Sequence, residues 1–220
     1  ITRKTPKSTS SSYRHRRRLK TGTLLSVVQM NLYFFGGTFD PPHLGHLSII
    51  QSCLIKSHQF ILVPTRQSPL KDKTPAASAH HRIRMLELLI RKIDQPIIID
   101  DWEIKNLPPN YSIDAIRHFQ ETYPGSNLFM VIGADQLMRF KNWKNYRAIM
   151  DLVNIVAFNR NNFQYKIPKG MQISWLEDFH IEISSTDIRK KIEDGHLPRN
   201  ELTPEVLEYI QLNNLYSLQK

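Results

Sequence analysis

The chain has 220 residues, of which 40% are hydrophobic and 23% charged, a composition typical of one globular domain with a buried core. A chain disordered throughout, a collagen repeat and a disulfide scaffold are therefore excluded, the last because Cys53 is its single cysteine. The longest apolar runs span a few residues, far fewer than the roughly 20 that a membrane helix needs, so we expect no membrane partner. The single cysteine agrees with a reducing compartment, so we expect a cytoplasmic protein.

The formal net charge is +10, and its distribution decides whether it indicates nucleic-acid binding. Residues 1–29 hold eight basic and no acidic residues, so residues 30–220 keep only the remaining +2. We interpret residues 1–29 as a disordered basic leader, lying either upstream of a true start at Met30 or within a targeting segment such as a transit peptide. We expect no nucleic-acid partner for residues 30–220.

From residue 30 onward, short apolar runs alternate with segments of helical periodicity. The predicted strands lie at residues 32–35, 60–63, 97–100, 128–132, 153–158 and 179–183. The predicted helices begin near Leu44, His80, Tyr111, Trp143, Thr186 and Pro204. This alternation predicts one α/β domain over residues 30–220, with a doubly wound, mostly parallel, Rossmann-like sheet and C-terminal helices.

The first predicted strand runs directly into the segment GGTFDPPHLGH at residues 36–46. Gly36 and Gly37 let a ligand approach the main chain, and the free amides of the helix that follows favour an anion such as phosphate. His43 and His46 are three residues apart and fall on one face of that turn. The alternatives are a purely local hydrogen bond between the histidines, or a zinc site, which would need further ligands that no Cys/His cluster supplies.

A second segment, ISSTDIR at residues 183–189, follows another strand-like run and opens a helix. Ser184 and Asp187 match a capping box, which explains a helix start without any ligand. Ser185, Thr186 and Arg189 add two hydroxyls and a guanidinium, a donor set that matches the oxygens of a triphosphate. The segment alone leaves both interpretations open.

Together these segments resemble the two signatures of the HxGH nucleotidyltransferase superfamily, and within it the nicotinate mononucleotide adenylyltransferases. Narrower matches are VP at residues 63–64, HR at 81–82, PNYSID at 109–114, and IGAD at 132–135 before Trp143. The resemblance covers residues 30–220. It implies transfer of the adenylyl group of ATP to nicotinate mononucleotide, giving deamido-NAD and pyrophosphate in NAD biosynthesis. The alternatives are a related adenylyl- or cytidylyltransferase with another acceptor, such as phosphopantetheine, and a basic nucleic-acid-binding protein.

The resemblance also implies roles for individual residues. His43, His46 and Arg189 would be catalytic. The residues that would bind ATP are Gly45, Gly133, Asp135, Ser185, Thr186 and Arg189. The residues that would bind the mononucleotide are Gly36, Gly37, Thr38, Lys71, Ser112, Trp143 and Lys144. Mg²⁺ would arrive with ATP rather than in a site of protein ligands, and a homo-oligomer is compatible with the sequence.

Within the mononucleotide set, Trp143 would stack on the pyridine ring, although a lone tryptophan is more often part of a core. Ser112 and the backbone amide of Lys144 would receive the nicotinate carboxylate. The family commonly has an aromatic residue at the position of Lys144, which is a departure in the acceptor site.

Overall fold

The structure is a computed structural model that describes residues 29–67, 74–107, 109–159, 170–176 and 183–217. Residues 1–28 of the basic leader, Lys71 and residues 179–182 of the last predicted strand lie outside the described residues. The predictions made for them stay predictions.

The described residues form one sheet of six parallel strands. The strands are β1 (Asn31–Gly37), β2 (Gln59–Pro64), β3 (Ile97–Ile99), β4 (Asn127–Gly133), β5 (Asn154–Phe158) and β6 (Ile173–Leu176). The sequence predicts β1 to β5 to within two residues at each end. It does not predict β6, which is short and lies at the sheet edge with Ser174 and Trp175 exposed, so it lacks the continuous apolar pattern of a buried strand.

The strand order is β3-β2-β1-β4-β5-β6. Strands β1 to β3 are added in one direction across the sheet and β4 to β6 in the other, so the switch point lies between β1 and β4. In a doubly wound fold, ligands bind in the crevice outside the carboxyl ends of the strands at such a switch point. The ends of β1 and β4 therefore mark where a site is expected.

The helices are α1 (Leu44–Leu54), α2 (Ala79–Ile90), α3 (Trp102–Lys105), α4 (Ser112–Thr122), α5 (Ala134–Leu137), α6 (Tyr146–Leu152), α7 (Ser185–Glu193) and α8 (Pro204–Leu212). Four-residue α3 and α5 are not predicted, because they are too short to show a helical period. Helix α6 begins three residues later than predicted, since a 3₁₀ turn at Phe140–Asn142 and a left-handed Asn145 (φ 54°) precede it.

Side chains alternate between two buried layers along each central strand, as in β1, where Tyr33 and Phe35 face one layer while Leu32 and Phe34 face the other. The first layer packs against α1, α2, α7 and α8. The second packs against α4, α5 and α6. The predicted doubly wound domain with C-terminal helices is thus confirmed.

The longest helix of the described residues, α2, has only 12 residues. No helix in this part of the chain has the length and apolar character needed to cross a bilayer. At α8 the predicted start is confirmed: the Thr203 hydroxyl accepts from the amide of Val206 at 3.3 Å, and Pro204 occupies the first turn.

Candidate active site

The candidate site lies at the carboxyl edge of the sheet, beyond the ends of β1 and β4. In a parallel α/β unit each helix runs antiparallel to the strand before it, so the amino ends of α1 and α4 meet at this edge. Four groups of side chains lie there: the segment after β1, the start of α7, the turn after β4, and the start of α4 with Trp143.

The two histidines of the segment after β1 are both buried, with 2% of His43 and 6% of His46 exposed. His43 is the N-cap of α1 and its backbone amide donates to Nδ1 of His46 at 3.2 Å, while the ring centroids are 3.7 Å apart. The local hydrogen bond considered as an alternative is therefore present. Because Nδ1 of His46 accepts, the neutral ring carries its proton on Nε2, which makes that atom a donor.

Phe39 packs against His46 and explains the second glycine of the segment. Phe39 has a left-handed φ of 50°, and its buried ring lies edge-on to His46 with centroids 5.0 Å apart. A Cβ on Gly37 would lie 2.9 Å from the tip of this ring, whereas a Cβ on Gly36 would have only Val63 O at 4.0 Å. Packing of the Phe39 ring thus requires glycine at position 37, whereas the space beside Gly36 is open.

The start of α7 docks onto the same segment. The Ser185 hydroxyl donates to the carbonyl of Pro41 at 2.9 Å, and Arg189 Nη1 donates to the carbonyl of Asp40 at 2.6 Å. Arg189 Nη2 lies 3.4 Å from the hydroxyl oxygen of Thr186. The structure thus brings together the two segments that are more than 130 residues apart in sequence.

Ser184 caps α7 as predicted, although its hydroxyl accepts from the amide of Thr186 at 3.2 Å rather than from that of Asp187. Thr186 is exposed, while Ser185 and Arg189 are half-buried. The exposed amides and hydroxyl of this first turn give the edge a second place where an anion is favoured.

Three residues not predicted from the sequence as part of the site lie directly behind it: Asp40, Arg82 and Tyr216. The Arg82 side chain is buried, and its Nη1 donates to the carbonyl of Thr38 at 2.6 Å. Burial lowers the pKa of Arg82, and the nearby Asp40 carboxylate opposes that shift. Of these, Asp40 lies inside the first segment and Arg82 in the HR stretch at residues 81–82, and both stretches carry the resemblance.

After β4, Gly133 is buried and caps α5, while Asp135 is exposed in the first turn of that helix. A Cβ on Gly133 would overlap Oδ1 of Asp135. The other carboxylate oxygen of Asp135 accepts from Gln136 Nε2 at 2.9 Å. Glycine therefore allows this carboxylate to fold back over the strand end. Gly45 lies buried in the first turn of α1, between the two histidines.

The start of α4 lies beside the segment that carries Trp143 and Lys144. Ser112 is the first residue of α4, and Trp143 packs half-buried on Phe140 with centroids 5.1 Å apart. The Lys144 ammonium lies 4.2 Å above the ring of Tyr111, the N-cap of α4. Trp143 is thus part of the second layer on one side, as its structural interpretation predicts, and its buried Nε1 has no hydrogen-bond partner among the described residues.

Within the described ranges, no group of three or more His, Cys, Asp or Glu side chains is placed to hold a metal ion. Guanidiniums, hydroxyls and backbone amides are the main donors around the two segments, and such donors bind anions. The Asp40 carboxylate is buried behind them.

The fold and site together define a Rossmann-like α/β domain with hydrogen-bond donors grouped at its switch point. The family model described as cytidylyltransferase-like matches residues 34–191, which include both segments and the whole of β1 to β6 apart from the first three residues of β1.

Curated relatives narrow the comparison. A probable nicotinate-nucleotide adenylyltransferase of Methylacidiphilum infernorum is 33% identical over 193 residues, covering 86% of this chain and 94% of the relative. One of Leptospira interrogans is also 33% identical, covering 83% and 95%. The chain belongs to the cytidylyltransferase-like family and, within it, to the nicotinate-nucleotide adenylyltransferases.

Solved structures agree on the fold. A Plasmodium falciparum nicotinic acid mononucleotide adenylyltransferase complexed with NaAD superposes with a TM-score of 0.71 at 20% identity, covering 86% of this chain and 98% of that one. The same enzyme complexed with APC gives a TM-score of 0.66 at 21% identity and the same coverage. At this identity the likeness extends to the fold alone.

Proposed function

We propose that the chain transfers the adenylyl group of ATP to nicotinate mononucleotide, a step in the biosynthesis of NAD. A phosphate oxygen of the mononucleotide attacks the α-phosphorus of ATP. The bond from that phosphorus to the oxygen bridging to the β-phosphorus breaks, so deamido-NAD forms and pyrophosphate leaves. The observation that carries the proposal is the docking of the Ser185 to Arg189 turn onto the histidine segment, in a chain whose curated relatives are nicotinate-nucleotide adenylyltransferases.

The reaction needs no protein base. The attacking phosphate monoester has a second pKa of about 6, so it is mostly dianionic at neutral pH. What the site must supply is an in-line geometry between two anions that repel each other, and donors for the charge that moves to the leaving pyrophosphate. The donor set beyond β1 and at α7 matches that need.

On the ATP side, His46 would donate from Nε2 to a phosphate oxygen, with His43 beside it and Gly45 giving close access to the start of α1. Arg189 and the exposed Thr186 would bind the departing pyrophosphate. Ser185, whose hydroxyl donates to Pro41, would act mainly through its backbone amide in the first turn of α7.

The turn after β4 would hold the ribose of ATP, because the Asp135 carboxylate is exposed there and can accept from ribose hydroxyls. Mg²⁺ would be held by the ATP phosphates and water. When bound, the ion neutralises charge on the phosphates. Lys71, outside the described residues, is proposed to add a cation.

On the acceptor side, the open space at Gly36 and the neighbouring Gly37 and Thr38 would line the mononucleotide. Trp143 would stack on the pyridine ring, and its buried Nε1, which lacks a partner within the described ranges, points to a polar acceptor supplied by substrate or water. Ser112 and the amide of Lys144 would receive the carboxylate. Because the Lys144 ammonium lies over Tyr111, the preference for a carboxylate rests on these two donors.

A substrate panel tests the proposal. Pyrophosphate release is measured with ATP or CTP and with nicotinate mononucleotide, nicotinamide mononucleotide or phosphopantetheine as acceptor. We expect ATP with nicotinate mononucleotide to give the highest kcat/KM. A higher value with phosphopantetheine or with CTP would assign the chain to another branch of the family. Tight RNA or DNA binding by residues 30–220, without pyrophosphate release, would favour the nucleic-acid alternative.

We propose the cytoplasm as its location, because the single thiol of Cys53 is free and buried, as suits a reducing compartment. Fractionation of cells expressing the chain would test this. The two nucleotides are the proposed partners, and a homo-oligomer stays a prediction that light scattering can check.

A further inference from the structure

We propose that Asp40 is a positioning residue for adenylyl transfer, whose buried carboxylate holds the guanidinium of Arg189 against the phosphate-facing segment. This inference rests on the proposed function, because Arg189 contributes to the reaction only if pyrophosphate is the leaving group. Asp40 would touch no substrate and would act through Arg189.

The Asp40 carboxylate is fixed from several directions and only 3% of the residue is exposed. Oδ1 accepts from the amide of Ala77 at 3.0 Å and from the hydroxyl of Tyr216 at 2.7 Å. Oδ2 accepts from the amide of Ala76 at 2.7 Å. These donors come from the residues before α2 and from those after α8, so the carboxylate cannot turn without breaking contacts to two distant parts of the chain.

The guanidinium of Arg189 approaches both the backbone carbonyl and the carboxylate of Asp40. Nη1 of Arg189 donates to the Asp40 carbonyl at 2.6 Å and lies 3.9 Å from Oδ2. At 3.9 Å the carboxylate acts by charge rather than by a hydrogen bond. Since Asp40 is fixed, the guanidinium has one preferred position, and its remaining Nη2 faces Thr186 at the start of α7.

The charges around Asp40 determine how removing its carboxylate charge should change kcat and the KM for ATP. Two guanidiniums, those of Arg82 and Arg189, lie near this one carboxylate. Tyr216 stays neutral, because burial and then the Asp40 charge raise its pKa. Removing the carboxylate charge leaves both guanidiniums uncompensated, which keeps or strengthens the attraction for ATP while Arg189 loses its fixed position. We therefore expect kcat to fall and the KM for ATP not to rise.

A double-mutant cycle with Asp40→Asn and Arg189→Ala tests the proposal by pyrophosphate release at a temperature where circular dichroism shows each variant to be folded. If Asp40 acts through Arg189, Asp40→Asn lowers kcat by roughly 10- to 100-fold in the intact enzyme and by less than about 3-fold when Arg189 is already alanine. The KM for ATP of Asp40→Asn stays within about 2-fold of the intact enzyme or below it.

Tyr216→Phe serves as a second, milder variant that removes one donor and keeps the carboxylate charge. We expect a smaller loss of kcat, again reduced when Arg189 is alanine, so the cycle can be completed even if Asp40→Asn does not fold. Glu87→Gln is the matched control, since this carboxylate pairs with Arg84 on the exposed side of α2. It should leave kcat unchanged.

Equal fold-losses in both Arg189 backgrounds would overturn the proposal and assign Asp40 a purely structural role. A rise of the KM for ATP without a fall in kcat would overturn it as well. Both results need an intact enzyme that is active. An intact chain that releases no pyrophosphate with any nucleotide pair would instead overturn the proposed function, and this inference with it.

Discussion

Gly36 and Gly37 are adjacent in sequence, yet the structure predicts different outcomes when each becomes alanine. At Gly37 the new methyl group would lie 2.9 to 3.2 Å from three carbons of the Phe39 ring. That ring is 2% exposed and meets Phe35 and His46 edge-on, with centroids 5.5 and 5.0 Å away, so it has little room to retreat. At Gly36 the nearest atom is 4.0 Å away.

Overpacking of a buried group costs about 1 to 3 kcal/mol, and each kcal/mol shifts the Tm of a domain of this size by roughly 2 to 4 °C. Gly37→Ala should therefore lower the Tm by about 2 to 12 °C. Gly36→Ala should change it by less than about 2 °C. Thermal unfolding followed by circular dichroism measures both values on matched variants.

Displacement of the Phe39 ring should also affect catalysis, because the ring packs against His46. We expect Gly37→Ala to lower kcat by about 10-fold in the folded enzyme, whereas Gly36→Ala should act mainly by raising the KM for the mononucleotide. Equal changes of Tm in the two variants would refute the packing argument. A normal kcat for Gly37→Ala would refute the link from Phe39 to His46.

Three further substitutions test the site and its surroundings. His46→Ala should lower kcat for pyrophosphate release by about 10²- to 10³-fold, since it removes a donor to charge that develops in the transition state. Ser112→Ala should narrow the kcat/KM preference for nicotinate over nicotinamide mononucleotide by about 10-fold, because one donor to the carboxylate is lost. Burial, then Asp100 and Asp114, raises the pKa of Glu103 to about 7, so the folded state binds this proton more tightly than the unfolded state and loses stability as pH rises from about 4.5 through 7. Glu103→Gln should therefore stabilise the protein by about 3 kcal/mol at pH 8.5 and by much less at pH 5, as thermal unfolding at the two pH values would show.

Each of these variants has a control elsewhere in the chain. His80→Ala changes an exposed histidine at the start of α2, and Ser52→Ala changes a hydroxyl that bonds within α1. Glu87→Gln removes an exposed carboxylate of α2. A full kcat for His46→Ala, an unchanged acceptor preference for Ser112→Ala, or a pH-independent effect of Glu103→Gln would each contradict its prediction.

The sequence predicts those parts of the fold that have a strong local signal. Strands β1, β2 and β4 are buried on both faces, so their apolar runs stand out, and Thr203 with Pro204 marks the start of α8. Helix α3 and strand β6 have no such signal, because each has only four residues, too few to show a clear period. Residue spacing also gives no strand order, which comes from pairing between distant segments.

The candidate site is predictable to the extent that it lies within contiguous segments. His43, His46 and the turn from Ser184 to Arg189 can be read from the sequence because each segment carries its own local chemistry. The contacts of Asp40 cannot, since its donors Ala76 and Tyr216 lie 36 and 176 residues away. Long-range contacts of this kind depend on the fold and leave no spacing to recognise.

The identity of the product shows whether the chain transfers the adenylyl group of ATP to nicotinate mononucleotide. The chain is incubated with ATP, Mg²⁺ and nicotinate mononucleotide, and the mixture is resolved by chromatography with mass spectrometry. We expect one deamido-NAD for each pyrophosphate released. Release of pyrophosphate or loss of ATP without formation of this dinucleotide would contradict it.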